Sequence, residues 1–203
     1  MLIRTVNDNL QQQAQTLFDH MFPAISTGDS KVGNYIIPKR GKSLLSKDAV
    51  FGEVPVVAGG LEPSTYHNIA NTASPVITIS ASGANAGFVN LWGLPVWSSD
   101  SSFIDTTMTD DVYFWYILLK KRQKEIFDAQ TGSAQPHIYS QHIAELPLTN
   151  LNVNAVKQYT ALVTPIFETI ANNKISNIRL ASLRDILLPK LISGELDVSG
   201  INV

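Results

Sequence analysis

The feature that most constrains this chain is the helical pattern towards its C-terminal end. From 148 to 192, seam residues recur at steps of three and four: Val153, Val156, Thr160, Val163, Phe167 and Ile170. Leu180, Leu183, Leu187 and Leu191 continue the stripe with a shifted phase. A helix of about 40 residues would be roughly 60 Å long. The rest of a 203-residue chain is too small to cover such a rod along its whole length. Two arrangements satisfy the seam. The helix packs against the N-terminal helix and a partner chain, or it folds back as a two-helix hairpin on the core. Pro165 is expected to kink the helix or break it near Thr164. Pro189, followed by Ser193-Gly194, marks its end.

A second helix is expected at 5–22, where Leu10, Ala14, Leu17, Phe18, Met21 and Phe22 share a face. Gln11-Gln12-Gln13-Ala14-Gln15 supplies its polar side, Asn7 or Asp8 its cap, and Pro23 its stop. Residues 23–147 differ in character. They hold ten of the twelve glycines and are rich in serine, threonine, valine and isoleucine, as suits turns between short strands. Strands are expected at 35–38, 54–58, 76–80, 86–91 and 102–105. Gly59-Gly60 and Ser82-Gly83-Ala84-Asn85-Ala86-Gly87 are expected to need positive φ. One helix interrupts at 110–128. It has Val112, Trp115, Tyr116 and Leu119 on one side, Lys120, Lys121 and Lys124 on the other, and Asp110-Asp111 as a capping pair. The expected class is α+β. A mixed α/β domain with glycine-rich loops (23–147) is flanked by an N-terminal helix (1–22) and a long C-terminal helical segment (148–203).

Composition narrows the chemistry. With 44% apolar and 16% charged residues the chain can bury a core. It has no cysteine, hence no disulfide, thiolate metal site or cysteine nucleophile, which suits a cytoplasmic protein. No apolar run approaches a membrane span, and the first residues lack an apolar signal core. The histidines, His20, His67, His137 and His142, have no HxxxH or HExxH spacing. The Ser82–Gly87 stretch lacks GxGxxG order, no GxSxG elbow occurs, and the acids are scattered. The expectation is a noncatalytic chain with neither metal nor cofactor.

Two basic clusters stand out, Lys39-Arg40-Gly41-Lys42 and Lys120-Lys121-Arg122-Gln123-Lys124, together with the polar-aromatic Tyr66-His67-Asn68. A solvated face or an exposed turn is the plainest account of each. The net charge is −2, and 23–147 holds 9 basic and 11 acidic side chains. That counts against strong DNA binding by the free chain, because phosphate neutralisation dominates such affinity.

Three stretches, taken in order, resemble the DNA specificity subunits of type I restriction-modification systems. The first, Asn7-Asp8-Asn9-Leu10-Gln11-Gln12-Gln13-Ala14-Gln15-Thr16-Leu17-Phe18, resembles the helix leading into a target recognition domain. The second is a series of landmarks of that domain. These are Val54-Pro55-Val56-Val57-Ala58-Gly59-Gly60, Pro75-Val76-Ile77-Thr78-Ile79 with the loop after it, Trp97-Ser98-Ser99-Asp100, and Gly132-Ser133-Ala134-Gln135-Pro136-His137-Ile138 with Leu146-Pro147. The third, Pro165-Ile166-Phe167 and the run 183–198, resembles the helix that follows. Order and spacing carry the resemblance more than any one motif.

The resemblance implies a subunit that recognises double-stranded DNA and does no chemistry. It would dock methyltransferase subunits, which bind S-adenosylmethionine, and a restriction (nuclease) subunit could join them. Family members usually carry two recognition domains, each reading half of a split target. This chain resembles one half. That implies either a homodimer rebuilding the two-domain form through coiled-coil helices, or an inactive specificity cassette. A noncatalytic helical dimerisation and protein-interaction module is the alternative from another class. On the family reading, phosphate contacts are expected from Lys39, Arg40, Lys42, Lys120, Lys121 and Lys124. Base-edge contacts are expected from Tyr66, His67, Ser82 and Asn85. The dimer or partner helices are expected to present Leu10, Leu17, Val156, Val163, Phe167, Ile170, Leu180, Leu183 and Leu187.

Overall fold

A computed structural model describes residues 2–132 and 134–195. The landmark at Ser133 and the end of the C-terminal run, Leu196-Asp197-Val198, lie outside the described residues. The helices are α1 (Leu2–Met21), α2 (Val112–Lys121), α3 (Gln123–Asp128), α4 (Ser140–Ala144) and α5 (Val153–Ile192). The strands are β1 (Ser30–Lys31), β2 (Lys39–Arg40), β3 (Val54–Val57), β4 (Thr65–His67), β5 (Val76–Ser80), β6 (Val89–Trp92), β7 (Trp97–Ser98), β8 (Ser101–Asp105) and β9 (Pro147–Leu148). The α+β class expected from the sequence is the class observed.

Strands β2-β8-β5-β6 form an antiparallel four-stranded sheet. Strands β4-β3-β7 form a three-stranded sheet whose β3–β7 pair is parallel. Ser99-Asp100 is the corner where the chain leaves one sheet for the other. The period-two alternation of β5 and β8 explains the layering. Ile77, Ile79 and Ile104 face the helices, while Val76 and Phe103 join Val57 and Val96 in a smaller cluster. α2 is buried on nearly every side, with Phe114, Ile117 and Leu118 as covered as Val112 and Leu119. The expected 110–128 helix is therefore two. They break at Arg122, whose buried guanidinium bonds the Pro147 carbonyl (2.5 Å) and Glu125 (2.6 Å).

α1 and α5 run antiparallel. The Tyr159 hydroxyl donates to the Ala14 carbonyl (3.0 Å), and Asn173 donates to Asn7 (2.7 Å). Burial pushes the Tyr159 hydroxyl well above the usual tyrosine range. Phe18 lies 5.4 Å from Tyr159 and 5.5 Å from Phe114, and Tyr113 stacks on Phe167 at 4.7 Å. These rings fuse α1, α2 and α5 into the core that also holds the sheet. The packing carries α5 through Pro165 without the expected break, since Val163, Phe167 and Ile170 are buried on both sides of it. Asn152 caps α5, accepting from Asn154 (3.0 Å) and Ala155 (3.2 Å).

Other expectations fail for local reasons. Residues 35–38 are not a strand: they follow a single 3-10 turn, Val32–Asn34. Asn7 and Asp8 lie inside α1. Asp111 makes no side-chain cap and instead accepts from Thr160 (2.7 Å). Gly83 and Gly87 do take positive φ, +81° and +86°, but Gly59 and Gly60 do not.

Candidate nucleic-acid interface

The site is built at the corner between the sheets. β2 is an edge strand, pairing Lys39 with Phe103 and Arg40 with Ser102 of β8. This register aims Arg40 at Asp100, and the two form an ion pair. The Ser82 hydroxyl, arriving from the glycine-rich loop, donates to the other Asp100 oxygen. Burial alone would raise the Asp100 pKa. The Ser82 and Arg40 hydrogen bonds and the Arg40 charge outweigh burial and hold the carboxyl below its usual value. Asn85 folds back onto the Gly59 carbonyl (3.4 Å). That loop turns at Gly87, where a Cβ would meet Ile126 at 2.8 Å as well as requiring positive φ. So Arg40 and Ser82, far apart in sequence, converge on one carboxylate, while Asn85 of the same loop is held on the Gly59 carbonyl.

The sequence reading missed three members of this surface. Asp100 is the shared acceptor. His137 bridges to Ser82 across the sheet edge and stacks with Tyr139 at 6.1 Å. Tyr139 is exposed. A signal was present in Pro136-His137-Ile138-Tyr139, because the buried Ile138 implies outward neighbours on each side. No sequence signal ties Asp100 to Arg40.

Several expected contacts fall elsewhere. His67 is only 6% exposed. Its Nδ1 accepts from the Val50 amide (3.0 Å), and its ring meets Trp97 edge-on at 5.1 Å. It is therefore a packing residue with no base-reading edge. Its neighbour Tyr66 faces outward. The second basic cluster is used internally. Lys120 bonds the Val89 carbonyl (3.1 Å), sits 4.4 Å from the Phe88 ring, and has its pKa lowered by burial. With Gln123, which bonds Val89 and Gly87 (2.9 and 2.8 Å), it caps the open edge of β6. Lys121 pairs with Asp19 and Lys124 with Asp128, both at 2.5 Å. Lys39-Arg40 and Lys120 flank opposite edges of the four-stranded sheet. Three strand spacings, about 14 Å, keep the two clusters from forming one patch.

The helix residues divide in the same way. Val156, Val163, Phe167 and Ile170 are buried in the chain's own core, and Leu10 and Leu17 pack partly against it. The four residues of α5 present no free seam, because the chain's own core covers them, whereas Leu10 and Leu17 of α1 stay half-exposed. Leu180, Leu183 and Leu187 are exposed, as are Ile178 and Leu191. Among the described residues no group of three His, Asp or Glu could hold a metal, and no helix is long and apolar enough to cross a membrane.

The geometry defines a class first: an α+β domain fused on one core to an antiparallel helix pair, with one helix overrunning the other. Across 94% of its length the chain matches the crystal structure of a type I restriction-modification system S subunit from M. genitalium, with a TM-score of 0.66 at 20% identity. It covers 54% of that subunit, and the likeness is one of fold. Sequence relatives then give the kinship. The chain is 35% identical over 96 residues to the type I restriction enzyme MjaIX specificity subunit of Methanocaldococcus jannaschii. That match covers 47% of this chain and 22% of the relative. It is 29% identical over 119 residues to the HindI specificity subunit of Haemophilus influenzae, covering 56% and 26%. No family model matches. The resemblance read from the sequence is borne out as a likeness: over about half of its length the chain is similar to type I restriction enzyme specificity subunits, and it spans only about a quarter of those relatives and about half of the solved subunit whose fold it shares.

Proposed function

We propose that the chain is a noncatalytic, sequence-specific DNA-recognition subunit of a type I restriction-modification complex. It acts as a homodimer of half-subunits that directs methyltransferase subunits to a split target. The observation that carries this reading is the kinship to two curated specificity subunits. S-adenosylmethionine would bind the methyltransferase partner, not this chain, and a restriction subunit would join the same assembly. The weak overall charge fits a division of labour in which partners supply much of the phosphate binding.

The dimer has its own physical basis. Asn7 of α1 meets Asn173, and Arg4 shares a cleft with Ile178. The last turns of α5, about 20 Å of helix, run past the first described turn of α1 with their leucines exposed. A two-fold pair would bury this stripe and set the recognition domains at opposite ends of the helices. A random-sequence duplex library incubated with the full chain and its methyltransferase partner tests the reading. Enrichment of one gapped inverted repeat supports it. An asymmetric target with this chain as sole specificity subunit refutes the symmetric dimer, and no enrichment refutes DNA recognition.

A further inference from the structure

The most exposed large apolar residue among the described residues lies outside every group considered so far. Phe51 is 97% exposed, at the tip of the segment between β2 and β3. Single exposed apolar residues are ordinary, but this one has company. Leu45, Val50, Tyr66 and Ile69 are exposed on the same segment and on the β4 region that holds it.

The tip is fixed rather than loose. Trp97 donates to the Lys42 carbonyl (2.8 Å), Leu44 donates to the Ser99 hydroxyl (3.0 Å), and Val50 donates to His67 (3.0 Å). Gly52 lies backbone to backbone on β4, so that a Cβ there would stand 2.4 Å from the Asn68 Cα. Phe51 is thus pinned by the residues on both sides of it, and its presentation costs little ordering on binding.

Charge identifies what the tip meets. Lys39, Lys42 and Lys47 are exposed and have no ion pair among the described residues, unlike Lys121 and Lys124. In a chain of net charge −2, residues 39–53 carry four bases against two acids, Asp48 and Glu53. An apolar tip on a segment with an excess of unpaired lysines complements a polyanion whose phosphates lie outside and whose base faces lie within.

We propose that Phe51 enters the base stack of the target duplex as an apolar wedge, with Lys42 and Lys47 on the flanking phosphates. This inference rests on the DNA-recognition reading and adds the contact that deforms the duplex. Its test uses the full chain with its methyltransferase partner and the duplex enriched from the random library. Phe51→Ala should weaken binding about tenfold or more with an unchanged salt slope and an unchanged melting temperature, and Phe51→Trp should restore binding. A 2-aminopurine scan should find one step that brightens with the wild type and stays dark with Phe51→Ala. If Phe51→Ala binds the duplex as the wild type does, the wedge is wrong while DNA recognition stands. If the same variant loses the methyltransferase subunit but keeps the duplex, the tip is a protein contact and the wedge is again wrong. If the wild type enriches no duplex, both readings fall.

Discussion

Placing charge in the exposed part of α5 should abolish self-association without unfolding the chain. Leu180, Leu183, Leu187 and Leu191 are between 40% and 57% exposed, together about two leucines' worth of open surface. Full burial of a leucine is worth about 1.5–3 kcal/mol. A two-fold pair burying both stripes would then gain roughly 6–12 kcal/mol, against an association cost of about 4–15 kcal/mol. The pairing therefore depends on the stripe. In Leu183→Glu/Leu187→Glu, half of that gain is lost and four carboxylates enter the seam, each at an effective cost of several kcal/mol. At about 1.4 kcal/mol per tenfold, the dimer should weaken by at least about a thousandfold. Because both side chains are exposed in the single chain, its stability should move by no more than about 0.5 kcal/mol each. Sedimentation velocity over a concentration series, paired with circular dichroism melts, reads both quantities. A double variant that sediments as the wild type does would refute the reasoning, as would a wild type that stays monomeric throughout the series.

Phe18→Ala should cost about 3–5 kcal/mol. Since that ring joins α1, α2 and α5, helix and tertiary signals should melt together, and two separated transitions would contradict a shared core. Lys39→Ala/Lys42→Ala should lower the salt dependence of DNA binding by about two phosphate contacts. Lys121→Ala/Lys124→Ala should leave it unchanged, because those lysines are spent on Asp19 and Asp128. Asp100 has a depressed folded-state pKa, so its contribution is present above its unfolded value and lost as pH falls through the folded one. Between about pH 6 and about pH 3 the wild type should therefore lose more melting temperature than Asp100→Asn, and equal losses would remove the Arg40–Asp100–Ser82 arrangement from the account. His67→Ala should lower the melting temperature yet preserve the recognised sequence, and a changed sequence would show that His67 reads bases after all.

The parts of the fold legible in the sequence were those whose pattern repeats over several residues. The stretches 76–80 and 101–105 alternate between two clusters, 54–57 is a short, mostly buried apolar run, and α1 and α5 keep one face for each other. Two-residue strands such as β2 and β7 have no pattern of their own, since their register comes from β8 and β3. Tyr35-Ile36-Ile37-Pro38 mimics a strand, yet Tyr35 is there to accept from the Leu151 amide (3.0 Å). The site divided along the same line. A run of lysines at 120–124 looks like a binding patch because not all of its partners are local: Asp128, which pairs with Lys124, lies on the same helix, but Asp19, which pairs with Lys121, is 102 residues away. The seam on α5 was seen as a partner surface because nothing in its period tells which half α1 will cover. Phe51 passed unnoticed because a lone aromatic beside a glycine has no pattern, and only folding shows that nothing covers it.

The most direct test of the central claim is methylome sequencing of cells that co-express this chain with the type I methyltransferase subunit of the same genome. The account predicts a new methylation motif with two inverted half-sites separated by a gap, absent when the chain is omitted. No new motif with both proteins soluble would contradict it and favour an inactive cassette or a protein-interaction module.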